Sequence, residues 1–152
     1  MVEIVYECWS EDGQHKVYFS TQESDRPGVF RSDIDGDNLT GYPCFVSVDY
    51  LVEQIEKTKR DDDKFPREVR LERLRKGIKE CACLPLVVLD LPTREIYPPD
   101  INEGRHRVLT AIRLGIKYIP ALISDDYDAL LIKEFIKRAT VTAPDSIRIS
   151  RR

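Results

Sequence analysis

A short basic loop between two apolar segments constrains the fold of this chain more than any other feature. The segment at 84–90 is apolar and rich in Val and Leu, which is typical of a short buried strand. After the loop, an amphipathic pattern predicts a helix over 105–114, and Gly115 supplies its C-terminal stop. A second apolar segment at 118–123 predicts another strand. Two strands joined through a helix in this order predict an α/β (α+β) fold.

Three further segments have the spacing of apolar residues that an amphipathic helix requires. They are 49–59, 66–80 and 127–138. In the second of them Leu71, Leu74 and Ile78 fall on one face, at positions i, i+3 and i+7. We therefore expect each of these helices to bury one side against the predicted strands.

The N-terminal region has a different pattern. Residues 2–7 and 16–20 predict the two strands of a β-hairpin, because the Asp-Gly pair at 12–13 between them is a strong turn signal. Residues 21–43 are polar and rich in turn-forming residues, which predicts a long loop. For the tail at 140–152, an edge strand and a mobile segment are both compatible with the sequence.

The chain has 152 residues, which is enough for one domain with a sizeable core. We predict one compact domain in three parts: an N-terminal hairpin and loop extension at 1–43, an α/β core at 44–126, and a C-terminal helix and tail at 127–152. The net charge of −3 argues against attraction of nucleic acid over the whole surface. Local patches of positive charge are therefore more informative than the total.

The most basic patch is the loop itself. Gly104 permits an unusual backbone turn, and the first N–H groups of the following helix point toward the loop. Arg105 and Arg107 supply guanidinium groups, which pair well with phosphate oxygens, and His106 adds a hydrogen-bond donor. These residues predict a phosphate-binding site at a helix N-terminus. The alternative is an ordinary capped surface helix that happens to be basic.

Glu103 precedes this loop. A carboxylate beside a polyphosphate is unfavourable unless a cation lies between them, so Glu103 is a candidate ligand for Mg²⁺. It also has the alternative role of a salt-bridge partner for Arg105 or Arg107. Arg67 and Arg70, on the helix at 66–80, are candidates for contacting phosphate from a second side, although charges on this helix can equally be paired with its own glutamates.

Several short motifs in the core resemble those of the ParB/sulfiredoxin superfamily, over roughly residues 44–125. The matching residues are Ile78-Lys79-Glu80, Pro85 to Val88, Glu103 to Arg107, Ala111, Gly115-Ile116 and Ile119-Pro120. The resemblance implies a compact α/β domain whose loop–helix junction holds nucleotide phosphates. Members include CTP-hydrolysing partition proteins, ATP-using sulfiredoxins, kinases of free serine and nucleases.

By this resemblance, Gly104, Arg105, His106 and Arg107 bind phosphate, Glu103 and His106 are the catalytic candidates, and Glu103 is the candidate metal ligand. The implied cofactor is Mg²⁺ with a nucleoside triphosphate, ATP or CTP. The implied activity is that of a nucleoside triphosphate phosphohydrolase or a metal-dependent nuclease (DNase). Sulfiredoxin chemistry is not implied, because Arg105 stands where those enzymes have their catalytic cysteine.

A second class of function stays open. A small plasmid- or phage-type regulatory protein can keep such a fold and act through protein contacts, with the N-terminal extension at 1–43 as the candidate surface. The segment after Ile123 has room for one helix and a tail, and not for a DNA-reading module of the kind that partition proteins carry. The enzyme is slightly favoured because the cationic loop is intact.

The remaining composition bears on the cellular location of the protein and on the role of its cysteines. No apolar run approaches the roughly 20 residues of a membrane span and no signal-peptide pattern is present, so we expect a cytoplasmic protein without membrane contact. The four cysteines, two of them in a Cys-Ala-Cys sequence at 81–83, are too few and too scattered for a disulfide framework. We expect them to be small apolar side chains rather than metal ligands.

Overall fold

Helices and strands combine in this chain as an α+β fold, as predicted, with its strands in two mixed sheets. The computed structural model describes residues 4–20, 41–57, 68–91, 100–124, 129–142 and 144–151. The strands are β1 (Ile4–Trp9), β2 (Lys16–Ser20), β3 (Gly41–Ser47), β4 (Cys83–Pro85), β5 (Val87–Asp90), β6 (Asp100–Glu103), β7 (Tyr118–Ser124), β8 (Thr140–Val141) and β9 (Ile147–Arg151). The helices are α1 (Val48–Lys57), α2 (Glu68–Lys79), α3 (Arg105–Arg113) and α4 (Ala129–Ala139).

The first sheet contains the predicted hairpin and has the order β4-β2-β1-β9. Strands β1 and β2 are antiparallel, with Trp9 opposite Lys16. The turn between them is stabilised by Asp12, whose Oδ1 accepts hydrogen bonds from Ser10 Oγ at 2.6 Å and from the backbone N–H of Gln14 at 2.9 Å. Strand β9 pairs antiparallel with β1 at the edge of this sheet, so residues 147–151 of the tail form an edge strand, while its first residues form β8 in the other sheet.

The second sheet has the order β6-β5-β7-β3-β8. Strands β5 and β7 are parallel, as expected for two strands connected through a helix, while β6, β3 and β8 add antiparallel neighbours. Strand β6 includes residues 100–103, which the sequence placed in the loop. Strand β3 begins at Gly41, so the predicted loop at 21–43 is wrong for its last three residues, and 21–40 lie outside the described residues.

The predicted strand at 84–90 is two strands in different sheets, and this is a correction to the sequence analysis. Residues 83–85 pair with β2 in the first sheet, and Val87 begins the pairing with β7 in the second. Leu86 lies between them and is buried. The reason is Pro85, which has no N–H to donate to a continuing ladder, so the chain leaves the first sheet directly after it.

The helices cover the sheets largely as their periodicity predicts. In α1, Val48, Leu51 and Ile55 are buried at i, i+3 and i+7, and in α2 Leu71 and Leu74 are buried in the same way. Helix α3 contacts both α1 and α2, and α4 contacts β3 and β8. No helix in the described ranges is long and apolar enough to cross a membrane.

Candidate functional site

The candidate loop lies where β6 ends and α3 begins. Gly104 is the N-cap of α3 and has a left-handed backbone, with φ 111° and ψ 17°. A Cβ atom at this position would lie 2.9 Å from Cγ2 of Val87 and 3.3 Å from Val87 Cα. Glycine is therefore required twice, by the backbone angle and by the close packing of the junction on β5. The group that packs closely against Gly104 is therefore strand β5 of the protein itself.

Arg105 is the first residue of α3, and only 7% of it is exposed. The sequence predicts a loop side chain that is open to a ligand, whereas the structure places the Arg105 side chain mainly inside the protein. A guanidinium is charged at every accessible pH, so burying it requires counter-charges or several hydrogen-bond acceptors around it. Arg105 is thus part of the framework of the junction as well as a source of positive potential.

Arg107 connects α3 to the point where the chain changes sheets. Its Nη1 donates a hydrogen bond to the carbonyl oxygen of Leu86 at 3.1 Å. Leu86 is the residue between β4 and β5, so this bond fixes the helix against both sheets. Arg107 remains partly exposed, as does His106, whose own carbonyl oxygen accepts a hydrogen bond from Thr110 Oγ1 at 2.8 Å.

The charges in the first turn of α3 are reversed relative to what the helix dipole favours. The turn contains Arg105, His106 and Arg107 and no acidic residue. Because the N-terminal end of a helix carries a partial positive charge, cations there are unfavourable and anions are stabilised. This end of α3 is therefore a region of positive potential formed by the dipole and the side chains together.

The other predicted site residues have different positions. Glu103 is the last residue of β6, opposite Val88, and directly precedes Gly104. Arg70 is exposed on α2, the helix that packs beside α3. Arg67 lies outside the described residues. The structure thus joins the run from Glu103 to Arg107 at one junction and places Arg70 on a neighbouring helix.

Neither a metal-binding cluster nor a disulfide is present among the described residues. These residues hold no group of three or more His, Cys, Asp or Glu side chains arranged to bind a metal ion. All four cysteines are free. Burial raises the pKa of the Cys44 thiol to about 12 and also raises that of Cys8, so both stay protonated and pack as small apolar groups.

Two features of the molecule were missed in the sequence. One is the contact of the loop with Leu86 and Val87, where the Leu86 carbonyl accepts a hydrogen bond from Arg107 and Val87 packs against Gly104. The signal that could have located this contact is Pro85, which ends β4. A cluster of Trp9, Lys16 and Tyr18 on the first sheet was also missed. Its signal was the alternation of polar and apolar residues along the hairpin, which becomes informative only once the strand register is known.

Comparisons of the chain with protein-family models, with curated proteins and with solved structures found no match. The resemblance to the ParB/sulfiredoxin superfamily therefore stays a prediction from short motifs. A function has to be argued from the residues of the junction, their burial and their charge.

Proposed function

We propose that this protein binds the phosphate groups of a nucleotide or a nucleic acid at the β6–α3 junction. The observation that carries the proposal is the first turn of α3, where Arg105, His106 and Arg107 stand together without an acidic residue. This arrangement is unfavourable for an isolated helix and becomes favourable when an anion lies at the helix N-terminus. Helices α1 and α2 have an acid in the first turn, and α4 has neither an acid nor a cation there, so the consecutive basic side chains are what distinguish α3.

The three side chains contribute differently to such a site. Arg107 and His106 are partly exposed and are the groups that contact a phosphate oxygen directly. Arg105 is buried, so it acts at short range through its charge in a region where water screens little. Arg70, exposed on the adjacent helix, adds a cation for a longer ligand such as a triphosphate or an oligonucleotide.

Hydrolysis of the bound phosphate ester is the catalytic form of this proposal, in line with the superfamily resemblance. Mg²⁺ bound with a polyphosphate takes most of its ligands from water and phosphate oxygens and needs only one or two carboxylates. Glu103 is the residue that would supply one, next to the phosphate-binding turn, and the ion would neutralise the charge that develops on the phosphate oxygens. His106 is the candidate proton donor. The protein is then a nucleoside triphosphate phosphohydrolase using ATP or CTP, or a metal-dependent nuclease.

A non-catalytic regulatory protein is the second candidate, and a specific observation favours it. Arg107 already donates to the Leu86 carbonyl and Arg105 is buried, so both cations stabilise the fold whether or not a ligand is bound. If these structural roles alone account for the two arginines, the junction does not bind nucleotide. In that case the protein acts through contacts with another protein, and the hairpin at its N-terminus is the first surface to test.

Isothermal titration calorimetry with ATP, CTP and GTP, each with and without Mg²⁺, distinguishes the two candidates. We expect saturable binding that Arg107→Ala weakens by about 1–3 kcal/mol, the scale of a lost charge-assisted hydrogen bond. The matched control is Arg113→Ala, at the exposed C-terminal end of the same helix, which should leave the affinity unchanged. Absence of binding to all three nucleotides and to a short DNA duplex, titrated in the same way, would favour the regulatory protein over the enzyme.

A further inference from the structure

A cluster of aromatic and charged side chains lies on the first sheet, far in sequence from α3. Along β2, Val17 and Phe19 are buried in the core, while Lys16 and Tyr18 alternate with them and are partly exposed. Trp9 lies opposite Lys16 on β1 and is also partly exposed. These residues belong to the face of the sheet opposite to Val17 and Phe19, which we call the outer face. Its other end, at Val5 and Ser20, is buried, so the accessible part is the one around Trp9 and Lys16.

Three side chains of the outer face form a compact group. The Lys16 ammonium lies 5.1 Å from the centre of the Trp9 ring and 5.3 Å from the centre of the Tyr18 ring. Its pKa is raised, first by a hydrogen bond with Tyr18, so Lys16 is fully charged at neutral pH. The ammonium therefore lies over the π faces of two rings on the two central strands of the sheet.

The charges around these rings favour an anionic ligand. Arg148 on β9 is exposed and lies in register with Glu7 on β1, which in turn lies opposite Tyr18. Glu7 is the acid of this group, and its Oε1 accepts a hydrogen bond from Trp9 Nε1 at 2.6 Å. The outer face around the rings thus has two cations, Lys16 over the rings and Arg148 two strands away from Tyr18, and one carboxylate, Glu7, between Tyr18 and Arg148.

Part of this arrangement is ordinary sheet chemistry. Cross-strand pairs between aromatic and charged residues stabilise antiparallel strands, and the pairing of Trp9 with Lys16 is of this kind. Such pairing does not require two large aromatic side chains to remain partly exposed on adjacent central strands. Partly exposed aromatic side chains with cations nearby are an arrangement on which unpaired bases stack while their phosphates are neutralised.

We propose that the outer face binds single-stranded nucleic acid, with bases stacked on Trp9 and Tyr18 and phosphates contacted by Lys16 and Arg148. In the free protein the Lys16 ammonium occupies the ring faces. A base displaces it, because stacking of a base on an exposed aromatic ring is stronger than a cation–π contact in water. The displaced ammonium then moves to the neighbouring phosphate, so no charge is left unpaired.

This inference does not depend on the β6–α3 junction. The outer face belongs to the first sheet and uses none of the residues from Glu103 to Arg107. Failure of nucleotide binding at the junction would leave the outer face unaffected, and the reverse also holds.

Intrinsic fluorescence provides a direct test because Trp9 is the single tryptophan of the chain. A base stacked on its indole quenches the emission, so the signal reports on the outer face alone. We expect oligo(dT) or oligo(U) to quench it in a saturable and salt-sensitive manner. A duplex of the same length should quench at least tenfold more weakly at equal concentration, because its bases are already stacked.

The variants separate binding from sheet stability. Tyr18→Ala should weaken binding of the single strand about tenfold, and Lys16→Gln should weaken it and reduce its salt dependence. The matched control is Tyr118→Ala, which removes another partly exposed tyrosine beside a lysine, Lys117, in the other sheet. It should leave the affinity unchanged. Lack of quenching by any single strand, equal quenching by the duplex, or equal affinity of the Tyr18→Ala and wild-type proteins would overturn the proposal.

Discussion

Helices α2 and α3 pack against each other, yet only α2 has an acidic residue in its first turn, where Glu68 precedes Arg70. Helix α2 begins with Glu68 and has lysines in its last turn, which is the distribution that the helix dipole favours. Helix α3 begins with Arg105, His106 and Arg107 and has no acid there. The acid at the start of α2 and the lysines at its end are placed as the helix dipole favours. The cations at the start of α3 are unfavourable to its dipole, whatever they contribute to packing, and we infer that an anion offsets this cost.

The two helices also differ in where they place their arginines. Arg70 on α2 is exposed, whereas Arg105 on α3 is 7% exposed and Arg107 is bound to the Leu86 carbonyl. A cation at the surface is replaceable at little cost in stability, while a buried one is not. The comparison therefore separates two effects of the α3 cations, one on folding and one on binding, and substitutions can measure each.

The largest effect is expected at the entry to α3. Gly104→Ala should destabilise the protein by about 2–5 kcal/mol, from about 1–2 for a left-handed non-glycine residue and about 1–3 for the overlap with Val87. The control is Gly13→Ala in the hairpin turn, where φ is 71° and a Cβ would meet nothing within 4 Å. It should cost only the first of the two contributions, about 1–2 kcal/mol. Urea denaturation measures both, and equal losses would mean that the packing on β5 does not matter.

The next effect compares the two helices directly. Arg105→Ala should destabilise the fold by about 1–3 kcal/mol, because it removes a side chain that is 7% exposed and leaves a cavity at the start of α3. Arg70→Ala on α2 should change the free energy of unfolding by less than about 0.5 kcal/mol. Both values come from the same denaturation experiment. If the two variants are equally stable, Arg105 is not part of the framework of the junction.

The smallest effect tests the dipole. His106→Glu should stabilise the protein by about 0.3–1 kcal/mol at low salt, because it gives α3 the acid that α2 has. Glu68→Lys should destabilise it by a similar amount, and both differences should shrink at high salt. The same His106→Glu substitution should abolish phosphate binding, so stability and binding move in opposite directions. Loss of stability in His106→Glu would show that His106 is needed for packing.

Local sequence signals predicted most of the helices and strands. The hairpin followed from the Asp-Gly turn signal, and the helices followed from the spacing of apolar residues along one helical face, because both signals lie within a few residues along the chain. The fold class followed from the order of these elements. The Glu103–Arg107 run was found for the same reason, since its cations and its glycine are consecutive.

The parts that the sequence did not predict depend on contacts between distant residues. The division of 84–90 at Leu86 requires knowing that β4 pairs with β2 and β5 with β7. The burial of Arg105 and its consequence for stability also appear only when α3 is packed between α1 and α2. The cluster of Trp9, Lys16 and Tyr18 becomes visible only from the register of the hairpin, because the three residues are not adjacent in sequence.

The central claim, an anion site at the first turn of α3, is tested most directly by the effect of inorganic pyrophosphate on the melting temperature at constant ionic strength. A ligand that binds only the folded state raises Tm with its concentration. Tm should rise in the wild-type protein and in Arg113→Ala, and should stay constant in Arg107→Ala and His106→Glu. An equal rise in all four proteins, or no rise in any, would contradict the claim.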